Sequence, residues 1–520
     1  MKKKQKLSQS PLFHGIFLVL SLIATLLYKS TDIWWVFLNN TLGIKHFGEI
    51  LLVTVICNTA VMTVLTALLT YKKMKPNKVL TAVFCTVSFI LFGFAFGYSI
   101  GLFFDENSGV MVCQLEDTLS KALPVIALSG LALFFPVFGK KAKITVSAVV
   151  LIISAVWVVN EFYPLTPYKI TSEPTVIDTS EDYSVVFSTN DIGTGYVEYT
   201  FEGQEYKVYD HTAGRLDSDT KIHSVRVPYE HLRNNSYRVG SVRVIEEFSY
   251  GSRLGTEVKS EEYTLTYNGS ENQTWLVISD WHTMLSEAYR AIDYLGEYDS
   301  VIFLGDSAPN VDYEDDVIKN TLQFMGRISG GEKPAIYVRG NHETRGAYAN
   351  DLPSALGLDE LYYTLDFGPY SFIVLDSGED KEDSHSEYGG LTAYGDYRKD
   401  MVEWLKTAEV NNDKVIALSH AWEISQVENE LAVTGWNEID RMGARIMLSG
   451  HSHRCALVDK EQEGINQEIF AAHPHMDAYM DGGKSGKNYI GSMMTLSPEG
   501  VEIKAVNNIG EEVFAENFAW

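Results

Sequence analysis

Five short apolar runs in the C-terminal half of the chain end in residues of the types that coordinate metal ions. Leu276-Val-Ile-Ser runs into Asp280, with His282 two positions on, and Val301-Ile-Phe-Leu-Gly runs into Asp306. Ala335-Ile-Tyr-Val-Arg-Gly runs into Asn341 and His342, and Val415-Ile-Ala-Leu-Ser into His420. Arg445-Ile-Met-Leu-Ser-Gly runs into His451, with His453 two further on. Taken singly, each has an ordinary reading: an Asp after a strand is a turn or cap residue, and a lone His is a hydrogen-bonded structural one. Five of the 13 histidines fall at these run ends, which argues for a shared purpose. Carboxylate, imidazole and amide oxygen suit divalent ions such as Mn, Fe and Zn. Two such ions about 3.5–4 Å apart need a shared anionic ligand to offset their repulsion, and Asp306 is the natural bridge.

The elements that must position these residues are short apolar strands alternating with helical stretches from residue 272 onward, the pattern of an α/β domain. In such a sheet the carboxyl ends of the strands line one crevice, so Asp280, His282, Asp306, Asn341, His420, His451 and His453 are expected to converge. The strand Ser371-Phe-Ile-Val-Leu-Asp376 leads into an insertion, 377–396, rich in Asp, Glu, Gly and Tyr, before a helix expected at about 397–408. The insertion is expected to border the crevice, with His385, Tyr388 and Tyr394 as candidate substrate contacts. His473 and His475, which flank Pro474 after another apolar run, are weaker candidates for a site role.

The set resembles the calcineurin-like metallophosphoesterases, whose pattern is Asp-x-His, Gly-Asp, Gly-Asn-His-Asp/Glu, a lone His, and Gly-His-x-His. Here it reads Ser279-Asp-Trp-His282, Gly305-Asp306, Gly340-Asn-His-Glu343, Ser419-His420 and Gly450-His-Ser-His453, all five blocks in family order. The resemblance implies that Asp280, His282 and His453 bind a first ion, that Asn341, His420 and His451 bind a second, and that Asp306 bridges them. It implies that His342 is no ligand but faces the phosphate as proton donor or charge stabiliser, with Glu343 orienting His342 or a ligand. Arg345 is a candidate for stabilising phosphoryl charge. Two departures narrow the reading. Pro309 stands where purple acid phosphatases carry a tyrosine ligand, and His282 is a residue they lack, so no tyrosinate–ferric site is expected. The Arg that follows the second block in serine/threonine protein phosphatases is absent from Asp306-Ser-Ala-Pro-Asn310, which weakens the case for a phosphoprotein substrate.

The rest of the chain divides by composition. Residues 1–162 carry a formal charge of +7 and the remainder about −33, within a net charge of −26. So acidic a C-terminal part disfavours a nucleic-acid-binding surface, because phosphates are repelled over most of it. Five apolar runs, at about 11–28, 48–71, 79–104, 122–139 and 143–160, each approach the length that crosses a bilayer, with no charged residue in their interiors. Eleven lysines fall in the segments that an inside N-terminus would place inside and three in the outer ones. That bias predicts a multi-pass protein of the cell membrane, with a cytoplasmic N-terminus and an extracytoplasmic C-terminal part. Glu161-Phe-Tyr-Pro-Leu-Thr-Pro-Tyr168 reads as a stiff linker. From about 169 to 270, period-2 strands between Gly, Asn and Asp turns suggest a β-sandwich. It resembles the fibronectin-III-like domain that precedes the catalytic domain in purple acid phosphatases. His211, His223 and His231 have no ligand spacing there and read as surface or core residues. The four cysteines make no disulfide framework.

The expectation is a multi-domain chain: a five-helix transmembrane region at 1–162, a fibronectin-III-like β-sandwich at 163–270, and an α/β four-layer metallophosphoesterase sandwich at 271–520. Its expected activity is that of a membrane-anchored, dinuclear phosphoesterase acting on phosphate mono- or diesters, with two divalent ions (Mn, Fe or Zn), a phosphate-ester substrate and a lipid bilayer as partners. The alternatives are a catalytically silent receptor or adhesion module on the same fold, and a metal-dependent hydrolase of a non-phosphate ester or amide.

Overall fold

The computed structural model describes residues 166–248, 251–282, 284–388, 390–421, 429–451, 455–458, 468–471 and 489–520, with five isolated positions before 166. The chain divides into two compact units, Met1–Pro167 with Ile245–Arg253, and Tyr168–Val244 with Leu254–Trp520. Nearly all described residues belong to the second. The five apolar runs expected to form a transmembrane region at 1–162 lie outside the described residues, apart from the isolated positions. That expectation is corrected: no helix among the described residues is long and apolar enough to cross a membrane, and the described chain is mostly strand. A five-helix membrane region is therefore unsupported, and so is the orientation argued from its lysines.

The site is carried by two facing sheets. In the first, Gln273–Ile278 runs parallel to Ser300–Phe303, which runs parallel to Pro334–Tyr337. In the second, Tyr370–Leu375, Lys414–Ser419, Ala444–Ser449 and Glu468–Ala471 are parallel in that order. These strands are apolar along nearly their whole length because parallel strands are covered on both faces. Trp275, Val277, Ile302, Leu304, Ile336 and Val338 point from the first sheet into a core shared with Phe372, Val374, Ile416, Leu418, Ile446 and Leu448 of the second. The alternate residues Leu276, Ile278, Val301, Phe303 and Ala335 bury against an outer layer that includes Ala288, Ala291 and Ile292 of the helix Leu285–Asp293 and Phe324, Met325 and Ile328 of Gln323–Ser329. Ile373, Leu375, Ala417 and Met447 bury against Met401 and Leu405 of Tyr394–Leu405 and Trp436 and Ile439 of Asn429–Arg441. Helix, sheet, sheet, helix is the four-layer sandwich expected for 271–520. Fully burying one such side chain contributes about 1.5–3 kcal/mol, so the layers form a rigid platform for the loops at the strand ends.

The β-rich segment has a core of its own, including Tyr183, Val185, Phe187, Val197, Val225, Tyr237 and Val239. Its central strand, Tyr183–Phe201, reads in the sequence as two strands. It pairs with Thr220–Val227 over its first half and with Gln204–Tyr209 and Asn235–Phe248 over its second, with a register shift between Ser188 and Gly193. Thr175–Asp178 pairs antiparallel with this strand and parallel with Pro334–Tyr337, through Val176↔Pro334 and Ile177↔Ala335. The β-rich segment thus extends the first of the two facing sheets, and one sheet runs across the position-270 boundary.

Candidate metal centre

Each described ligand candidate follows a parallel strand at its carboxyl end, and three of them sit on uncommon backbone. Asp280, Asp306 and His451 have φ of 54°, 53° and 64°, a left-handed conformation that is disfavoured for residues other than glycine and that concentrates at functional sites. Local hydrogen bonds hold them there. Asp280 N donates to Gly305 O at 2.9 Å, Asp306 N to Glu343 Oε2 at 3.0 Å, and His451 N to Asp280 Oδ2 at 3.1 Å. Two motif glycines are explained by close approach. A Cβ at Gly340 would lie 2.1 Å from Asp306 N, and one at Gly450 would lie 1.9 Å from Ser279 Oγ. Any side chain at either place would displace a ligand loop.

The ligand candidates meet in two groups that share Asp306. His282, Asp306 and His342 present donor atoms within 4.8 Å of one another, and so do Asp306, His420 and His451. Asp280 is fully buried beside them, accepting hydrogen bonds from Ser279 Oγ and His451 N. His453, His473 and His475 lie outside the described residues.

The tautomers can be read from the carbonyls the rings touch. His420 Nδ1 is 2.5 Å from Leu304 O, and because a carbonyl only accepts, Nδ1 carries the proton. Its Nε2 then faces Asp306 Oδ2 at 3.2 Å. Asn341 Oδ1 faces acceptors: His420 Nε2 and both Asp306 oxygens at 3.3 Å, and His451 Nδ1 at 3.0 Å. With both rings neutral, four lone-pair atoms on four residues point at one another, and a proton on His420 Nε2, which Asp306 favours, satisfies only that one pair. A cation among them reconciles all four. Rotating the Asn341 amide, which would also bring its oxygen to Arg345 Nη2 at 2.9 Å, relieves Asn341 but leaves a carboxylate against an imidazole lone pair. The electrostatics carry the same demand for positive charge. Burial alone would lower the His420 pKa, yet Asp306 raises it to about 10. Burial would raise Asp306, but His420 holds it below the ordinary carboxylate value. The donor set therefore fits divalent ions, and the His420 Nδ1–H bond to a carbonyl is the outer support that metal-binding imidazoles commonly have.

His342 sits at the more open edge, its side chain 27% exposed and its ring stacked on His282 at 4.9 Å. Nδ1 is 2.7 Å from the carbonyl of Pro309, the residue standing in the purple-acid-phosphatase tyrosine position, and Nε2 is 3.9 Å from Asp306 Oδ2. Glu343 is buried, and burial together with Asp306 pushes its pKa up to about 6. It accepts from the backbone N–H groups of Asp306 and Ser307. Among the described bonds it thus fixes the loop that carries Asp306, and it orients neither His342 nor a ligand side chain.

The insertion does border the cluster, through residues the sequence did not single out. Glu379, buried, accepts from Arg345 Nε at 2.6 Å and Nη2 at 2.9 Å, from Thr344 Oγ1 at 2.9 Å and from Tyr388 OH at 3.0 Å. Asp380 Oδ2 lies 3.3 Å from His451 Nε2. Arg345 and Tyr388, expected as substrate contacts, are thus both bonded to Glu379. The His385 ring lies 5.8 Å from that of Tyr388. Tyr394 opens the helix Tyr394–Leu405 and lies over Arg339, whose guanidinium pairs with buried Asp376 at 2.7 Å. A signal for Glu379 and Asp380 was present in the sequence: the strand ending at Asp376 is a further parallel strand opening onto the same crevice.

The family model for calcineurin-like phosphoesterases matches residues 274–455. Residues 274–455 form a calcineurin-like phosphoesterase domain. No curated protein matches the chain. Among solved structures, GAP50, the anchor in the inner membrane complex of Plasmodium, is 14% identical, with 48% of this chain and 89% of that one covered and a TM-score of 0.36. Vacuolar Protein Sorting 29 from Cryptosporidium parvum is 12% identical over 48% of this chain and 100% of its own, with a TM-score of 0.28. A metallophosphoesterase from Sphaerobacter thermophilus is 12% identical over 48% and 89%, with a TM-score of 0.24. The phosphoesterase domain spans every described ligand candidate and the Glu379–Asp380 pair.

Proposed function

We propose that the phosphoesterase domain is a dinuclear metal-dependent hydrolase of phosphate mono- or diesters. The observation that supports this is the convergence of metal-binding atoms from Asp306, Asn341, His420 and His451 in one cluster. Asp280, His282 and His453 would hold a first ion, Asn341, His420 and His451 a second, and Asp306 both. When bound, the ions would lower the pKa of a water to make a nucleophile at neutral pH and would offset phosphoryl charge. His342 stands at the open edge with Nδ1 pinned by the Pro309 carbonyl, so Nε2 is the atom free to act. Protonated there, it donates to the leaving oxygen or to a phosphoryl oxygen. Arg345 has its guanidinium bound on two sides by Glu379, which makes it a support for Asn341 before a substrate contact.

The test is a turnover panel on the full chain with added Mn2+, comparing alkyl and nitrophenyl phosphates, phosphodiesters and carboxylic esters. Hydrolysis confined to phosphate esters, and lost with a chelator, is the expected result. Turnover of carboxylic esters alone points to the other hydrolase class. No turnover by a protein that binds metal points to the silent module.

A further inference from the structure

Glu379 and Asp380 are neighbours in sequence, just beyond the strand Tyr370–Leu375, and they reach two different ligand candidates. Asp380 Oδ2 is 3.3 Å from His451 Nε2. A carboxylate only accepts, so Nε2 carries the hydrogen, and in the neutral ring Nδ1 keeps its lone pair on the side of Asn341 Oδ1, 3.0 Å away. Asp380 thereby selects which nitrogen faces the cluster. Glu379 accepts from Asn341 Nδ2 at 3.5 Å while also holding Arg345, Thr344 and Tyr388. With the amide nitrogen drawn to Glu379, the amide oxygen turns towards His420 and Asp306.

We propose that Glu379 and Asp380 are positioning residues that orient Asn341 and His451, the two outer ligands of the second ion, each from the side away from that ion. This rests on the dinuclear reading above. Neither carboxylate is assigned to a metal. They act through the ligands, as hydrogen-bond partners behind metal-binding histidines and amides do, and removing such a partner typically weakens metal binding 10–100-fold. The pair is carried on an insertion loop, so this chain supplies the support for its second ion from a segment outside the five motif blocks.

The experiment is a titration of the full, chelator-stripped chain with Mn2+, read by calorimetry. The native chain takes two equivalents. Asp380→Ala binds one equivalent as the native chain does and the other about 10–100-fold more weakly. His451→Ala weakens that same equivalent. Combining the two changes adds nothing to His451→Ala alone, because Asp380 works through that ring; a residue that merely stabilised the fold would lower binding further. Asp380→Asn keeps an acceptor without the charge and recovers part of the affinity, and it carries the comparison if Asp380→Ala does not fold. Glu379→Gln weakens the same equivalent. Native affinity for both equivalents in Asp380→Ala and Asp380→Asn, or a double variant well below His451→Ala, overturns the positioning role. A native chain that does not take two equivalents overturns the dinuclear reading itself, and the inference with it.

Discussion

His420 and His223 are both fully buried histidines, one at the phosphoesterase cluster and one in the β-rich segment, and their environments drive them in opposite directions. His223 Nε2 lies 3.1 Å from the hydroxyls of Thr189 and Ser241, and its ring packs 5.0 Å from Phe187. With no charge among these partners, burial pushes its pKa down to about 3. His420 meets the same burial, but Asp306 at 3.2 Å reverses the outcome. Burial of a histidine therefore says little about its chemistry, and the charge beside it decides. The β-rich segment buries a neutral ring as packing, while the phosphoesterase cluster gathers anionic and lone-pair atoms that need positive charge between them.

The largest expected effect comes from removing that charge. Asp306→Ala takes away the atom that both donor groups share, so metal content per chain, read by atomic emission, should fall and turnover of every phosphate ester should collapse to background. A variant that keeps both ions would break the comparison at its root. His342→Ala comes next. It should keep its metal while turnover slows about 10²–10⁴-fold, and more for alkyl phosphates, whose leaving oxygen needs a proton, than for nitrophenyl phosphates. Equal losses on the two substrates would assign His342 to charge stabilisation, whereas loss of metal would make it a ligand, as its place beside His282 and Asp306 permits.

A smaller effect tests the other histidine. Between about pH 3 and 6.5 the unfolded chain binds a proton at His223 that the native chain refuses, so stability is intact above 6.5 and falls as pH drops towards 3, by roughly 1.4 kcal/mol per unit at most. His223→Gln, which does not titrate, should show a shallower loss in urea unfolding across that window. Asp178 and Asp210, pushed up to about 6 and about 7 chiefly by burial, contribute with the opposite sign, but equally to both chains. Matching slopes would mean that His223 is charged or solvated in the native state. The smallest effect is Tyr388→Phe. Losing the hydroxyl that donates to the Glu379 carboxylate and accepts from Lys381 N should cost about 1–3 kcal/mol of thermal stability and leave two ions bound; loss of an ion would place Tyr388 closer to the metal than its bond to Glu379 implies.

The phosphoesterase cluster was legible because its information is local. Each strand and the ligand type at its end lie within a few residues, and the sheet rule brings Asp280, Asp306, Asn341, His420 and His451 together without knowledge of the intervening loops. Glu379 and Asp380 were not legible in that way. Their partners Asn341 and His451 lie before and after them in the chain, and only the folded loop shows which acidic residue of a run of several faces inward. The same limit hid the pairing of Val176 with Pro334, a contact between distant segments that joins the β-rich part to the sheet carrying Asp280 and Asp306. It also hid the continuity of Tyr183–Phe201, where a register shift between Ser188 and Gly193 looks in sequence like a turn between two strands. The expectation of membrane helices came from run length and the exclusion of charge from the runs, and no helix among the described residues supports it.

Frozen-solution electron paramagnetic resonance reports on whether two ions share Asp306. The full chain, stripped and reloaded with two equivalents of Mn2+, should give the broad spectrum of two exchange-coupled ions, and Asp306→Ala should not. A native spectrum showing only the six-line pattern of isolated Mn2+ would contradict the account.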